Sequence, residues 1–148
     1  VTLSLTFEQA LTALESAAAK QPERNLEDMG GTCLYFFDTY TAGATNDTNA
    51  RKGIAARYAP GEPCCIVGQV LADNGLTIDD VGTYNEGCTV GGLAGGDLLS
   101  LDDRAHDLLR RAQEYQDCGK PWAEAVRLAK ERDAAEQGAQ PWETVSLD

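Results

Sequence analysis

The stretch EPCCIVGQVLADNGL, Glu62–Leu76, places two adjacent cysteines at the head of a mostly apolar run. At about 100° per residue, Ile66, Val67, Val70 and Leu71 share one arc, with Cys64 at its edge. Cys65, Gly68 and Ala72 form a second arc without bulk, and Gln69 and Asp73 are left as the polar strip. Such a helix is buried on two sides: the large face fills a core, and the small face admits another backbone. The two cysteine side chains point about 100° apart, so the doublet is not one site. Pro63 suits a first helical position, where its missing N–H costs nothing. Gly75 suits the position after a helix end. Together they predict a helix over 63–74, approached on its small face by the chain's own segment around Cys33.

That segment, CLYFFDTY (Cys33–Tyr40), is aromatic and short, and it reads as a buried strand. The polar run from Thr41 to Gly53 reads as a loop, and GIAARYA after it, to Ala59, reads either as the returning strand of a hairpin, the preferred reading, or as a short helix capped by Asn49. Upstream, Thr6 and Gln9 have the spacing of a capping box. Phe7, Ala10, Leu11, Leu14 and Ala18 then recur at helical spacing, which predicts a helix over 7–20. Downstream, Leu76–Asp80 and Leu99–Asp103 both set a Thr or Ser before paired acids, a helix-start pattern. These predict a short helix over 78–84 and a long one over 101–118, the second ended by Gly119. Pro121 opens a last helix, over 121–136, that buries Trp122, Ala125, Val126 and Ala129. The expected fold is mostly α (α+β): about five helices with a small two-stranded β element, one domain over 1–138 and a tail over 139–148.

Composition narrows the function classes. The 148 residues carry a net charge of −12, most of it between residues 60 and 120. An acidic surface repels phosphate, so nucleic-acid and anionic-membrane binding are disfavoured. No apolar run approaches the roughly 20 residues of a membrane helix. The start VTLSLTFEQALTALE lacks the basic opening of a secretory signal. Five cysteines at irregular spacing cannot all pair, and the expectation is free thiols in a reducing cytoplasm.

Candidate sites are few. Both cysteines of the doublet lie in the predicted first turn of a helix, where the helix dipole lowers a thiol pKa. A catalytic thiol needs a base, and the chain has one histidine, His106. A Cys65–His106 pair and a zinc set of Cys33, Cys65, Cys118 and His106 are conceivable, but no ligand spacing marks either. The Asp79-Asp80 and Asp102-Asp103 pairs read as helix caps rather than metal ligands. GGLAGG, inside Gly82–Gly96, lacks the GK[ST] ending of a phosphate loop and reads as a mobile or tightly turned connector. No catalytic residue, metal ligand or cofactor is therefore assigned. The binding candidates are Cys65, Gln69, His106 and Trp142.

Two segments carry a resemblance. Cys33-Leu34-Tyr35 is followed by CCIVGQVL, and AHDLLRRAQEYQDCGKPWAEAV spans Ala105–Val126. Their pattern, C-x-Y, then CIVG-x-VL, then AQ-x-x-QD-x-G-x-x-W, resembles a loose group of small uncharacterised proteins encoded by actinobacteria and their phages. The match covers about half of the chain. Thr41–Gly53 looks like an insertion, and Gln69 stands where many members have histidine. The resemblance implies a source and a compartment rather than an activity. Composition and resemblance lead to the expectation of an acidic, cytoplasmic, non-enzymatic accessory protein that binds another protein. The alternatives are a virion or capsid-decoration protein and a small thiol- or zinc-dependent enzyme.

Overall fold

The computed structural model describes residues 2–25, 34–37, 59–85 and 89–138. Along the chain run β1 (Leu3–Leu5), α1 (Phe7–Lys20), α2 (Ile66–Asp73) and α3 (Ile78–Val81), the last continued by a 3-10 turn over Gly82–Asn85. Then come α4 (Val90–Gly95), β2 (Leu99–Leu101), α5 (Asp103–Asp117) and α6 (Trp122–Gly138). The fold is mostly helical with a two-stranded sheet, the class the sequence predicts.

The sheet is made of other residues than expected. β1 and β2 are both Leu-Ser-Leu and pair in parallel, Leu3 with Leu99, Ser4 with Ser100 and Leu5 with Leu101. Each strand puts its leucines toward the helices and its serine outward. Each is followed, after one residue, by a long helix. Leu101 thus belongs to a strand, which corrects the predicted start of the long helix at 101. Asp102 is its N-cap, accepting the Ala105 N–H at 2.7 Å. The expected strand near Cys33 is seen only over Leu34–Phe37, where Phe36 makes a single antiparallel bridge to Pro63. Cys33, the rest of CLYFFDTY, the loop Thr41–Gly53 and nearly all of the return strand lie outside the described residues.

Capping explains the helix boundaries. In α1 the Thr6 hydroxyl accepts the Gln9 N–H at 3.2 Å, and the Gln9 side chain accepts the Thr6 N–H at 3.0 Å, as predicted. The helix over 63–74 begins later than predicted. Pro63 is taken by the bridge to Phe36, and Cys65 becomes the N-cap. Its end is as predicted: Gly75 adopts φ 87°, and Leu76 and Gly75 donate to Leu71 and Ala72, a Schellman closure. The glycine-rich connector is corrected too. GGLAGG lies largely within α4, because Thr89 caps Gly92 and Val90 and Leu93 supply a buried edge. Its end repeats the Schellman pattern with Asp97, at φ 62°, in the usual glycine place.

The core is shared by α1, α2, α5 and α6. Leu14, Val67, Leu71, Leu108, Leu109 and Trp122 are all fully buried. The apolar arcs read from the sequence are the buried ones: Ile66, Val67, Val70 and Leu71 on α2, and Trp122, Ala125, Val126 and Ala129 on α6. The first two N–H groups of α6 are satisfied from outside the helix, Trp122 donating to Arg24 O and Ala123 to Pro22 O. No helix among the described residues is long and apolar enough to cross a membrane.

Candidate functional site

The N-terminus of α2 is where the described residues concentrate buried polar groups. Gln116, on the last turn of α5, is fully buried. Its Oε1 accepts the Ile66 N–H at 2.7 Å and the Trp122 indole N–H at 3.1 Å. Its amide nitrogen donates to Asp117 at 2.9 Å. One side chain therefore ties α5, α2 and α6 together. One turn earlier, Gln113 accepts the Val67 N–H at 3.4 Å. The orphan donors of α2 are thus met by two glutamines and by Cys65, whose sulfur accepts the Gly68 N–H at 3.3 Å.

The small face of α2 is filled as predicted, by the chain's own backbone. Tyr35 O accepts the Cys64 N–H at 2.8 Å and lies against Gly68. The segment Leu34–Phe37 is held on both edges. On one, Phe37 donates to Glu62 O. On the other, the Asn85 side chain accepts the Phe36 N–H at 2.8 Å and donates to its carbonyl at 3.0 Å. Asn85 supplies what a neighbouring strand would. Arg24, also buried, donates to Pro63 O at 3.1 Å and lies over the Trp122 ring, 5.0 Å from its centroid.

Electrostatics disfavours the thiolate of Cys65. Burial pushes the Cys65 thiol from 9.0 up to about 12, against the lowering effect of the Gly68 N–H and Gln113. The N-cap position that could have activated it is outweighed by desolvation. Cys64 is buried beside it, while Cys118 is exposed at the end of α5.

The other candidates do not converge on Cys65. Gln69 donates to Asp73 at 2.8 Å, and Asp73 also pairs with Lys20, so Gln69 helps fasten α2 to the end of α1. His106 lies two turns from Gln113, about 10 Å along α5. Its Nε2 faces Gly91 of α4, and its Nδ1 is 3.7 Å from Asp107. Trp142, Cys33 and Cys88 lie outside the described residues. Among the described residues no three His, Cys, Asp or Glu side chains are grouped to hold a metal ion. Two hollows among the described residues are open grooves. One of about 510 Å³ runs between β1 and the outer face of α1, and one of about 490 Å³ lies between α1 and α6.

Sequence reasoning missed Gln116, Asn85 and Arg24. Gln116 had a faint signal, since it follows Ala112 by four residues and so continues the buried stripe of α5. Asn85 and Arg24 had none, because their partners are distant in sequence. Compared with protein families, with curated proteins and with solved structures, the chain matches none of them.

Proposed function

We propose that the protein acts by binding another protein and not by catalysis, as an acidic cytoplasmic accessory protein of phage type. One observation carries this reading: the polar groups around the start of α2 and beside Leu34–Phe37 are spent on the chain's own backbone. Gln116, Gln113 and Cys65 serve the start of α2, and Asn85 serves Phe36. A catalytic site holds such groups toward a substrate, with perturbed pKa values suited to proton transfer. Here the large pKa shift, at Cys65, suppresses the reactive form. The net charge of −12 favours a partner with a basic face and steers such an encounter. The resemblance to actinobacterial and phage proteins suggests where that partner is found.

The test is affinity capture with the full chain from an actinobacterial lysate, followed by titration of the purified captured protein against this one. The reading expects a single protein that rebinds near one to one, more weakly at high salt. Capture of nothing that rebinds when purified overturns it.

A further inference from the structure

α4 is built from residues that resist a helix. It has six residues, Val90–Gly95, and three of them are glycine. A helix that short does not hold itself in water, so its packing must hold it. The anchors are Val90 and Leu93, both buried, and the helix lies against α5 and β2. Its start is tied by the Thr89 hydroxyl, which accepts the Gly92 N–H at 3.0 Å.

Two of these glycines answer no steric demand. Gly91 and Gly95 are both exposed and stand one turn apart on the same side of α4. Neither has a positive φ. A β-carbon on Gly95 would have no heavy atom within 4 Å among the described residues. One on Gly91 would meet the His106 Nε2 at 3.4 Å, an ordinary contact. Gly96 differs, because there the Tyr84 ring takes the place of a β-carbon. Alanine would therefore fit at 91 and 95. Each glycine instead lowers the weight of the helical state by up to about fivefold.

The closing turn adds strain, since Asp97 holds φ 62° with a side chain where glycine would be free of penalty. Just beyond it the chain is firmly held. Leu3 donates to Leu98 O at 2.9 Å, and β2 pairs with β1 along its length. The weak segment thus ends at a fixed point. The four core helices α1, α2, α5 and α6 lie outside it, so α4 can come away without undoing them or the sheet. Its departure bares the apolar seat that Val90 and Leu93 fill against α5 and β2.

We propose that residues 89–97 form a gate: α4 opens by local unfolding while the sheet and the four core helices stay folded, and the opening uncovers the apolar seat of Val90 and Leu93. The test is residue-resolved native-state hydrogen exchange on the full chain, in urea kept below the unfolding range. The reporters are the Leu93, Gly96 and Leu98 amides, which donate to Thr89 O, Gly92 O and Leu93 O, each at 3.0 Å. The proposal expects the three to share one opening equilibrium, at least about 100-fold larger than that of the Leu108 amide in α5 and much less dependent on urea. Gly91→Ala combined with Gly95→Ala should slow all three together by about fivefold or more, and Gly95→Ala alone by at least about twofold. Exchange of the three at the rate and urea dependence of Leu108 overturns the proposal, because α4 would then open only with the whole protein. So do rates unmoved by Gly95→Ala, and so do three amides that respond to it separately.

Discussion

The carbonyl of Tyr35 occupies the space that a β-carbon on Gly68 would need. A methyl built there overlaps the carbonyl oxygen and comes within 2.7 Å of its carbon. The neighbour is backbone, already fixed by the Cys64 N–H, so it cannot swing aside. Gly68→Ala should therefore cost about 3 kcal/mol or more, at the upper end of overpacking effects. Thermal unfolding followed by circular dichroism checks this; an alanine variant as stable as the parent would remove the close approach from the account.

Cys65 makes a prediction about alkaline stability. The unfolded chain releases this proton near 9.0, whereas the folded chain holds it to about 12. A raised folded pKa gives stability that is complete below the unfolded value and is lost as pH rises through the folded one. Unfolding free energy should fall between pH 9 and 12, and Cys65→Ser should flatten that fall while keeping a capping oxygen. Thiol labelling at pH 8 gives a second reading: exposed Cys118 should react promptly, and Cys65 only as fast as the protein unfolds.

Asp97 holds a left-handed conformation, φ 62°, at the end of α4. Its N–H and that of Leu98 close the helix, and Thr2 donates to its carbonyl at 2.7 Å, so the backbone is fixed there. Glycine adopts this conformation without steric penalty. Asp97→Gly should stabilise the protein by about 0.5–1 kcal/mol, the left-handed penalty less the added entropy of the unfolded chain. Denaturant titration measures it, and a less stable glycine variant would contradict it.

Asp102 caps two helices. One carboxylate oxygen accepts the Ala105 N–H of its own helix at 2.7 Å; the other accepts the Phe7 N–H of α1 at 3.3 Å. Asp102→Ala should cost about 1–2 kcal/mol. Asp102→Asn keeps one acceptor and loses the other, so it should fall between the two in urea midpoint. Equal midpoints for Asn and the parent would mean that no second helix is being held.

What the sequence disclosed follows from the range of the interactions. α1 and the buried face of α6 were legible because capping and helical spacing are local, as Thr6, Gln9 and the Trp122–Ala129 face demonstrate. The small face of α2 was legible because an arc without bulk, Cys65, Gly68 and Ala72, needs a close neighbour. The sheet was not, since Leu-Ser-Leu has neither the β-branched residues nor the length that marks a strand. Its partner lies 96 residues away by register. The candidate site was read least well. Cys65 was visible as a thiol at a helix start, but the burial that silences it depends on α5 and on Tyr35. Gln116 looked like one more polar residue because its partners, Ile66 and Trp122, meet it only in the fold.

The central claim is that these polar groups maintain the fold. Equilibrium urea unfolding of Gln116→Leu, beside the parent protein, tests it most directly. Leucine fills similar space but accepts no hydrogen bond, leaving the Ile66 N–H and the Trp122 indole N–H buried without their acceptor. The account predicts an unfolding free energy lower by about 2–4 kcal/mol with an unchanged denaturant slope. A Gln116→Leu variant as stable as the parent would contradict it, and would return Gln116 to the residues available for chemistry.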